Sequence, residues 1–349
     1  MIGPFLRYGP FTLWKFDELL RTTVDSYLGI YSTVETGNQS FRTPLEFLRA
    51  MDSSGAMERL VNESLCDFLE QRHGLSEAYV REFASAVTRV QYTQDCAINA
   101  LVGLVALLPV VDDDCYRIQG GNMHLPERLI SLSRASLRQA TVTQVASDSS
   151  AEGYLLRFRS YSGDHAVPVE EEESFDVVVL ASPLELSGVQ FGGDLAGLNG
   201  LPRRGYQTVH VTMVSGQVNP LYFSSPSVPQ CILTTERDDV IPFTALCSNT
   251  MLDLEDPDWR LYKIFSKAPL NDALLDSLFT SRRYHLHRVI QAYPQLPPML
   301  ALMETLPFEL ADSLYYVNAM ETIFSTMETE AISALNIRNL IMQSLKNQR

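Results

Sequence analysis

The stretch with the most chemical potential is Gly120-Gly121-Asn122. Its two glycines follow a short extended piece, 115–119, and precede an amphipathic run, 125–132. The backbone can turn sharply there, something bulky can approach it closely, and a helix is expected to start just beyond. Other reactive types are easier to discount. Asp112, Asp113 and Asp114 are adjacent, and three consecutive carboxylates cannot all face one ion on a regular element, so a solvated turn accounts for them. His285 and His287 stand two apart; on a helix they diverge, no third ligand is evident, and no metal site is expected. Cys66, Cys96, Cys115, Cys231 and Cys247 show no Cys-x-x-Cys spacing. That excludes an ordinary zinc module, and the odd count leaves at least one thiol outside any pairing. Asn38 and Asn62 open Asn-x-Ser sequons, which matter only on the secretory route. No Ser/His/Asp set and no carboxylate pair at readable spacing is present. The absence of such motifs is also what a protein without catalysis shows.

Several elements must position these residues. Apolar residues recur at helical intervals from Phe11 to Tyr31, predicting a helix with one buried face. Further helices are expected at 44–52, 56–73 and 77–90. The small residues Ala100, Gly103 and Ala106, three apart, favour a closely packed helix over a strand pair at 98–108. Strands are expected at 141–145, 154–158 and 175–181, the last apolar at five successive positions after Asp176, as for a strand covered on both faces, and ended by Ser182-Pro183. Glu170 to Glu173 read as a charged loop between the second and third of these. Glycines thicken from 188 to 205, but Pro202 and Arg203-Arg204 follow where a phosphate loop needs a helix, so a surface connection is expected. Segments 206–214, 231–235 and 260–265 alternate as strands of a separate sheet. A short strand at 314–318 and a long helix at 325–345 complete the chain.

With 349 residues, 46% hydrophobic and 20% charged, the chain is globular and long enough for two domains. Its formal charge of −15 argues against a nucleic-acid surface built on phosphate neutralisation. The longest apolar run, 100–111, is too short to span a membrane. Met1 is followed by no charged start and apolar core of a signal peptide. Nothing in residues 1–114 supplies the Gly-x-Gly-x-x-Gly turn that receives a dinucleotide pyrophosphate.

The order of four motifs carries a resemblance: Tyr92-Thr93-Gln94 with Ile98-Asn99-Ala100, then Gly120-Gly121-Asn122, then Phe175-Asp-Val-Val-Val-Leu-Ala-Ser-Pro183, then Leu314-Tyr-Tyr-Val-Asn-Ala319. Together they resemble the prenylcysteine oxidases (prenylcysteine lyases) among the amine-oxidase-like flavoproteins, over most of the chain, thinning between about 249 and 310. The resemblance implies an α+β or α/β chain with an incomplete FAD-binding, glutathione-reductase-like domain and a helical and β-sheet substrate domain. Residues 1–114 would be a mainly helical substrate or cap region and 115–190 the second part of the FAD-binding domain. Residues 191–305 would be a substrate domain with a sheet, and 306–349 a strand and helix returning to the FAD domain. It implies FAD lined by Gly120, Gly121, Asn122, Val142, Ser182, Pro183, Met327 and Glu328, with no metal and no assignable catalytic residue. The implied reaction cleaves the thioether of a prenylated cysteine to cysteine, an isoprenoid aldehyde and hydrogen peroxide, with oxygen as acceptor and no nucleic-acid partner. It also implies the lysosome or secretory pathway and glycosylation at Asn38 and Asn62. Because the pyrophosphate turn is missing, the chain as given is expected to purify colourless. The alternatives are a non-catalytic fragment or isoprenoid-binding remnant, and another amine-oxidase-like flavoenzyme.

Overall fold

The computed structural model describes residues 6–35, 39–110, 118–148, 153–161, 167–225, 228–236, 240–249 and 259–347. Asn38, the three aspartates 112–114 and Cys115 lie outside the described residues. The fold mixes helices with three sheets, and the chain divides into two compact units. The first comprises 1–25, 56–108 and 205–299; the second comprises 26–55, 109–204 and 300–349.

The longer helices, in chain order, are α1 (Pro10–Tyr27), α2 (Gly29–Glu35), α3 (Pro44–Met51), α4 (Ala56–Val61), α5 (Ser85–Tyr92), α6 (Ala100–Leu107), α7 (His124–Ser133), α8 (Asp272–Leu278), α9 (Leu300–Thr305) and α10 (Met327–Asn347). The regular helices expected at 56–73 and 77–90 are interrupted: α4 ends early, and Phe68–Arg72 and Tyr79–Ala84 wind as π-turns. Asn99 caps α6, its Oδ1 accepting from Val102 N at 3.0 Å. The small-residue spacing in α6 has a direct use, because a Cβ on Gly103 would stand 2.7 Å from Leu65 Cδ2. The missing Cβ leaves room for the Leu65 side chain against this helix.

In the first unit the sheet runs β10 (Phe279–Pro294), β6 (Tyr206–Val218), β9 (Arg260–Ser266), β8 (Ala245–Asn249), β7 (Cys231–Leu233), with every neighbouring pair antiparallel. Val214, Leu246, Ile264, Leu275 and Phe279 form one buried cluster in which α8 covers this sheet; each such side chain contributes about 1.5–3 kcal/mol by burial. The expected strands at 206–214, 231–235 and 260–265 are present. β10 is an addition, since its Ser-Arg-Arg-Tyr-His-Leu-His-Arg sequence hides the alternation. Placing His285 and His287 on a strand corrects the helical reading, because residues two apart then share a face. Two disulfides lie in this unit, Cys66–Cys96 and, across β7 and β8, Cys231–Cys247.

In the second unit, β3 (Val169–Phe175), β2 (Tyr154–Ser160), β1 (Ala140–Ser147) and β5 (Gln190–Gly192) form one sheet. The glutamates 170–173 are therefore strand rather than loop. Arg157 stands opposite Glu172 and Arg159 opposite Glu170, paired at 2.5 and 2.6 Å, so facing cations make a pairing partner of a segment whose own composition disfavours a strand. The glycine-rich connection also holds some order, with β5 followed by a 3-10 stretch, Gly193–Gly200. A smaller sheet runs β11 (Glu309–Ala311), β12 (Leu314–Tyr316), β4 (Val178–Leu180), with β12 and β4 parallel. β4 is shorter than its apolar run predicts and is not covered on both faces, Val179 being 42% exposed. α10 is tied to the chain before α3 by Asn336, which exchanges two hydrogen bonds with the Phe41 backbone at 2.8 and 3.0 Å. Among the described residues no helix is long and apolar enough to cross a membrane.

Candidate functional site

Parallel strands present their carboxyl ends on the same side, where ligands of open α/β sheets bind. In the second unit this is where β4 runs into Ser182-Pro183 and β12 into Asn318. Pro183 then starts a short helical turn, Leu184–Ser187. The two strand ends are joined by Arg204, whose side chain is fully buried. Its Nε donates to Glu185 Oε1 at 2.9 Å, one Nη to Asn318 O at 2.8 Å, and the other to the Tyr316 hydroxyl at 2.6 Å. Glu321 Oε2 lies 3.5 Å away on the same guanidinium. Burial opposes ionisation of Glu185, but the hydrogen bonds and charge of Arg204 outweigh it and hold this carboxyl below its usual range.

Glu330, in the first turn of α10, belongs to the same cluster. Burial, reinforced by the neighbouring Glu321 charge and only partly opposed by Arg204, pushes its carboxyl up to about 8. Its Oε1 is buried without a hydrogen-bond partner, as is Asn318 Oδ1. Two unpartnered polar atoms beside parallel strand ends suit a ligand or water that completes their hydrogen bonds. An acid whose folded pKa exceeds its unfolded value destabilises the native state above the unfolded pKa. The cost of ionising Glu330 is absent below about pH 4.5, grows as pH rises toward 8, and then levels off. Glu330→Gln is therefore expected to stabilise the protein at pH 8 by at least about 1 kcal/mol, one pKa unit's worth, and to remove that pH-dependent cost. Urea titrations at pH 5 and pH 8 check it; an equal effect at both would contradict it.

The residues expected from sequence distribute as follows. Met327 opens α10 and is 57% exposed. Glu328 follows it and accepts from the Tyr27 hydroxyl at 3.0 Å and from the Tyr31 hydroxyl. Thr326 caps the helix, its hydroxyl accepting from Thr329 N at 3.1 Å. Ser182 is exposed and Pro183 half-buried. Val142 sits half-buried in β1 opposite Phe158, beside a register shift. Gly120, Gly121 and Asn122 form the expected turn before α7, with Gly121 N donating to Ile118 O at 2.9 Å. Gly121 has φ +108 and nothing within 4 Å of where a Cβ would stand, so its backbone is open to a close approach. α7 buries none of its residues, and Leu125, Leu129 and Leu132 are 42%, 58% and 63% exposed. The hydrogen bonds described for the glycine turn are local, whereas those of Arg204 bring the β4 and β12 ends together. Arg204, Glu185, Tyr316 and Glu330 went unnoticed in the sequence; a basic pair after a glycine-rich stretch gives no sign of a buried guanidinium. Asn62 is exposed, as a glycan acceptor must be.

In the first unit, the 92–99 segment is held at many points. Gln94 Nε2 donates to Tyr92 O and Pro294 O at 3.3 and 3.0 Å, and its Oε1 accepts from Leu296 N at 2.8 Å. Asn99, fully buried, donates through Nδ2 to Leu296 O at 3.1 Å. Thr93 ends α5 in the left-handed region, φ +56, where a β-branched residue is strained and glycine is the usual choice. Thr93→Gly is expected to raise stability by about 1 kcal/mol; a lower thermal unfolding midpoint in the variant would contradict it. Farther along this unit's sheet, His210 Nδ1 meets His287 Nε2 at 2.9 Å with near-parallel rings. Burial, then the charge of His287, lowers the pKa of His210. Among the described residues no group of three or more His, Cys, Asp or Glu is placed to hold a metal ion.

Comparison with known proteins agrees with the motif order. Farnesylcysteine lyase of Arabidopsis thaliana is 32% identical over 344 residues, covering 97% of this chain and 63% of the relative. Prenylcysteine oxidase 1 of Homo sapiens is 28% identical over 350 residues, covering 95% and 66%. Prenylcysteine oxidase 1-like of Mus musculus is 28% identical over 298 residues, covering 80% and 57%. The chain thus spans less than two thirds of the length of these relatives. A family model described as prenylcysteine lyase matches residues 1–349, and the chain belongs to that family.

Proposed function

We propose that this chain carries out, or forms part of a protein that carries out, oxidative cleavage of the thioether of a prenylated cysteine. One thioether, one water and one oxygen would give cysteine, an isoprenoid aldehyde and hydrogen peroxide. The observation that carries the proposal is the family match along all of residues 1–349, supported by relatives named for farnesylcysteine and prenylcysteine.

The group implied is FAD, and the second unit offers a partial fit. Gly121 has an open backbone face, Asn318 keeps a buried acceptor unpaired, and two parallel strands end near one buried guanidinium. A Gly-x-Gly-x-x-Gly turn for the pyrophosphate does not occur among these 349 residues. In this reading Gly120, Gly121, Asn122, Val142, Ser182, Pro183, Met327 and Glu328 line the cofactor. Bound FAD would supply the two-electron acceptor that oxidises the carbon beside sulfur and is itself reoxidised by oxygen. The protein's own contribution is positional. The α10 start, capped by Thr326, directs amide donors toward negative charge. Tyr27 and Tyr31 fix Glu328, and Arg204 fixes the strand ends. Two disulfides support an oxidising compartment, consistent with a secretory or lysosomal location and a glycan on Asn62.

Two measurements test the proposal. S-farnesyl-L-cysteine should bind the purified chain in equilibrium dialysis. A preparation loaded with FAD should convert it to farnesal and peroxide in equal amounts. A flavin-loaded preparation that leaves the thioether intact overturns the proposal.

A further inference from the structure

The first unit contains an open cavity of about 270 Å³ whose wall includes Gln94, Asp95, Gln207, Lys267 and Gln295, with Ala97, Ile98 and Pro297 as its apolar part. We infer that this cavity receives the amino-acid end of a cysteine thioether, with Asp95 as the counter-charge for its α-ammonium. The inference rests on the reading above and adds the group that recognises the polar end of the substrate.

The wall chemistry narrows the ligand class. One carboxylate, one ammonium and three carboxamides are too few cations for a phosphate and too few anions for a metal ion. One charge of each sign on a partly apolar wall fits a zwitterion bearing a hydrocarbon chain. Asp95 has the capacity for this role. Its Oδ1 accepts from Ala97 N at 2.9 Å, and an ionised carboxylate has acceptor sites on both oxygens. The side chain is half-buried, so an ammonium placed there forms a charge-assisted hydrogen bond in partial shelter from water. Lys267, exposed on the same wall, suits the carboxylate of the same ligand.

The surroundings are fixed more firmly than a surface loop requires. Cys96, next to Asp95, is tied to Cys66. Gln94, on the other side, is held by three backbone groups, and Thr93 is kept in a left-handed conformation despite its branched side chain. Tyr293, on the facing segment, is also left-handed at φ +65 and meets Tyr92 edge-on with centroids 5.4 Å apart. Left-handed non-glycine residues persist only where the surroundings over-determine them, and they gather at ligand clamps. Here Thr93 lines the cavity and Tyr293 packs behind it on Tyr92.

The test compares binding of S-farnesyl-L-cysteine with that of its N-acetyl derivative, by equilibrium dialysis against the whole chain. The protein is expected to prefer the free amine by about tenfold, the effect of one charge-assisted hydrogen bond. Asp95→Asn should bring that ratio close to one. Asparagine keeps the acceptor for Ala97 N. Asp95→Ser, whose hydroxyl can also take that N–H, is a second variant should the first fail to fold. Far-UV circular dichroism checks each variant. Loss of the preference in a folded variant supports the inference. A tenfold preference surviving in both variants, or equal binding of the two compounds by the unaltered protein, overturns the cavity assignment and leaves the thioether reading standing. Failure of the unaltered protein to bind either compound removes both.

Discussion

Arg204→Met is expected to lower the stability of the protein by about 3–5 kcal/mol, the usual consequence of removing one partner from a buried ion pair. The substitution keeps much of the side-chain length and apolar stem, so lost packing is a small part of the effect. What remains is Glu185, with only 6% of its side chain exposed, and Glu321, at 11%, without their guanidinium. The Tyr316 hydroxyl and the Asn318 carbonyl lose donors at 2.6 and 2.8 Å as well. Arg204→Lys should recover little, because one ammonium cannot reproduce a planar fork that reaches a carboxylate, a carbonyl and a phenol together. The pH dependence gives an independent check. Glu185 has a folded pKa below its unfolded value, so its contribution is present above about pH 4.5 and disappears as pH falls through the folded value. The deficit of the methionine variant should accordingly shrink in acid. Urea unfolding at pH 7 and pH 4 measures it; a loss below 1 kcal/mol at pH 7 would mean that the cluster is hydrated and weak.

The double variant Cys66→Ser/Cys96→Ser is expected to lose about 3–4 kcal/mol. The bridge closes a loop of sequence separation 30, and the chain-entropy relation gives that magnitude at 25 °C. The loop it closes contains α5, the Gln94 clamp and Asp95, so the segment carrying the proposed ammonium site should open before the rest of the first unit. Hydrogen exchange resolves the order: amides at 93–99 should lose protection ahead of those in β6 and β9. Uniform loss across the unit would show that the bridge stabilises the whole and not this segment.

Periodicity made some elements legible and left others hidden. β6 and β9 were readable because one face of each is buried, so apolar and polar residues alternate. The packed helix at 100–107 was readable from small residues three apart, which Leu65 explains. β10 was not, because charge and imidazole rings occupy positions where alternation would show. β3 was missed because its glutamates are offset by arginines on β2, a partner the local sequence does not reveal. The cysteine count could not indicate which thiols pair. At the candidate site, the ends of β4 and β12 followed from the apolar run, the proline and the tyrosine pair. The buried charges did not, since Glu185, Arg204 and Glu330 come together only through the tertiary fold.

The outer position of β3 has one more consequence. A sheet rim with free amides and carbonyls invites a strand from another molecule to add itself. Here the rim displays Glu170 through Glu173 in a chain of net charge −15, so a second copy laid alongside would set carboxylate against carboxylate. Replacing those glutamates by glutamine removes that protection, and self-association through this rim should then increase.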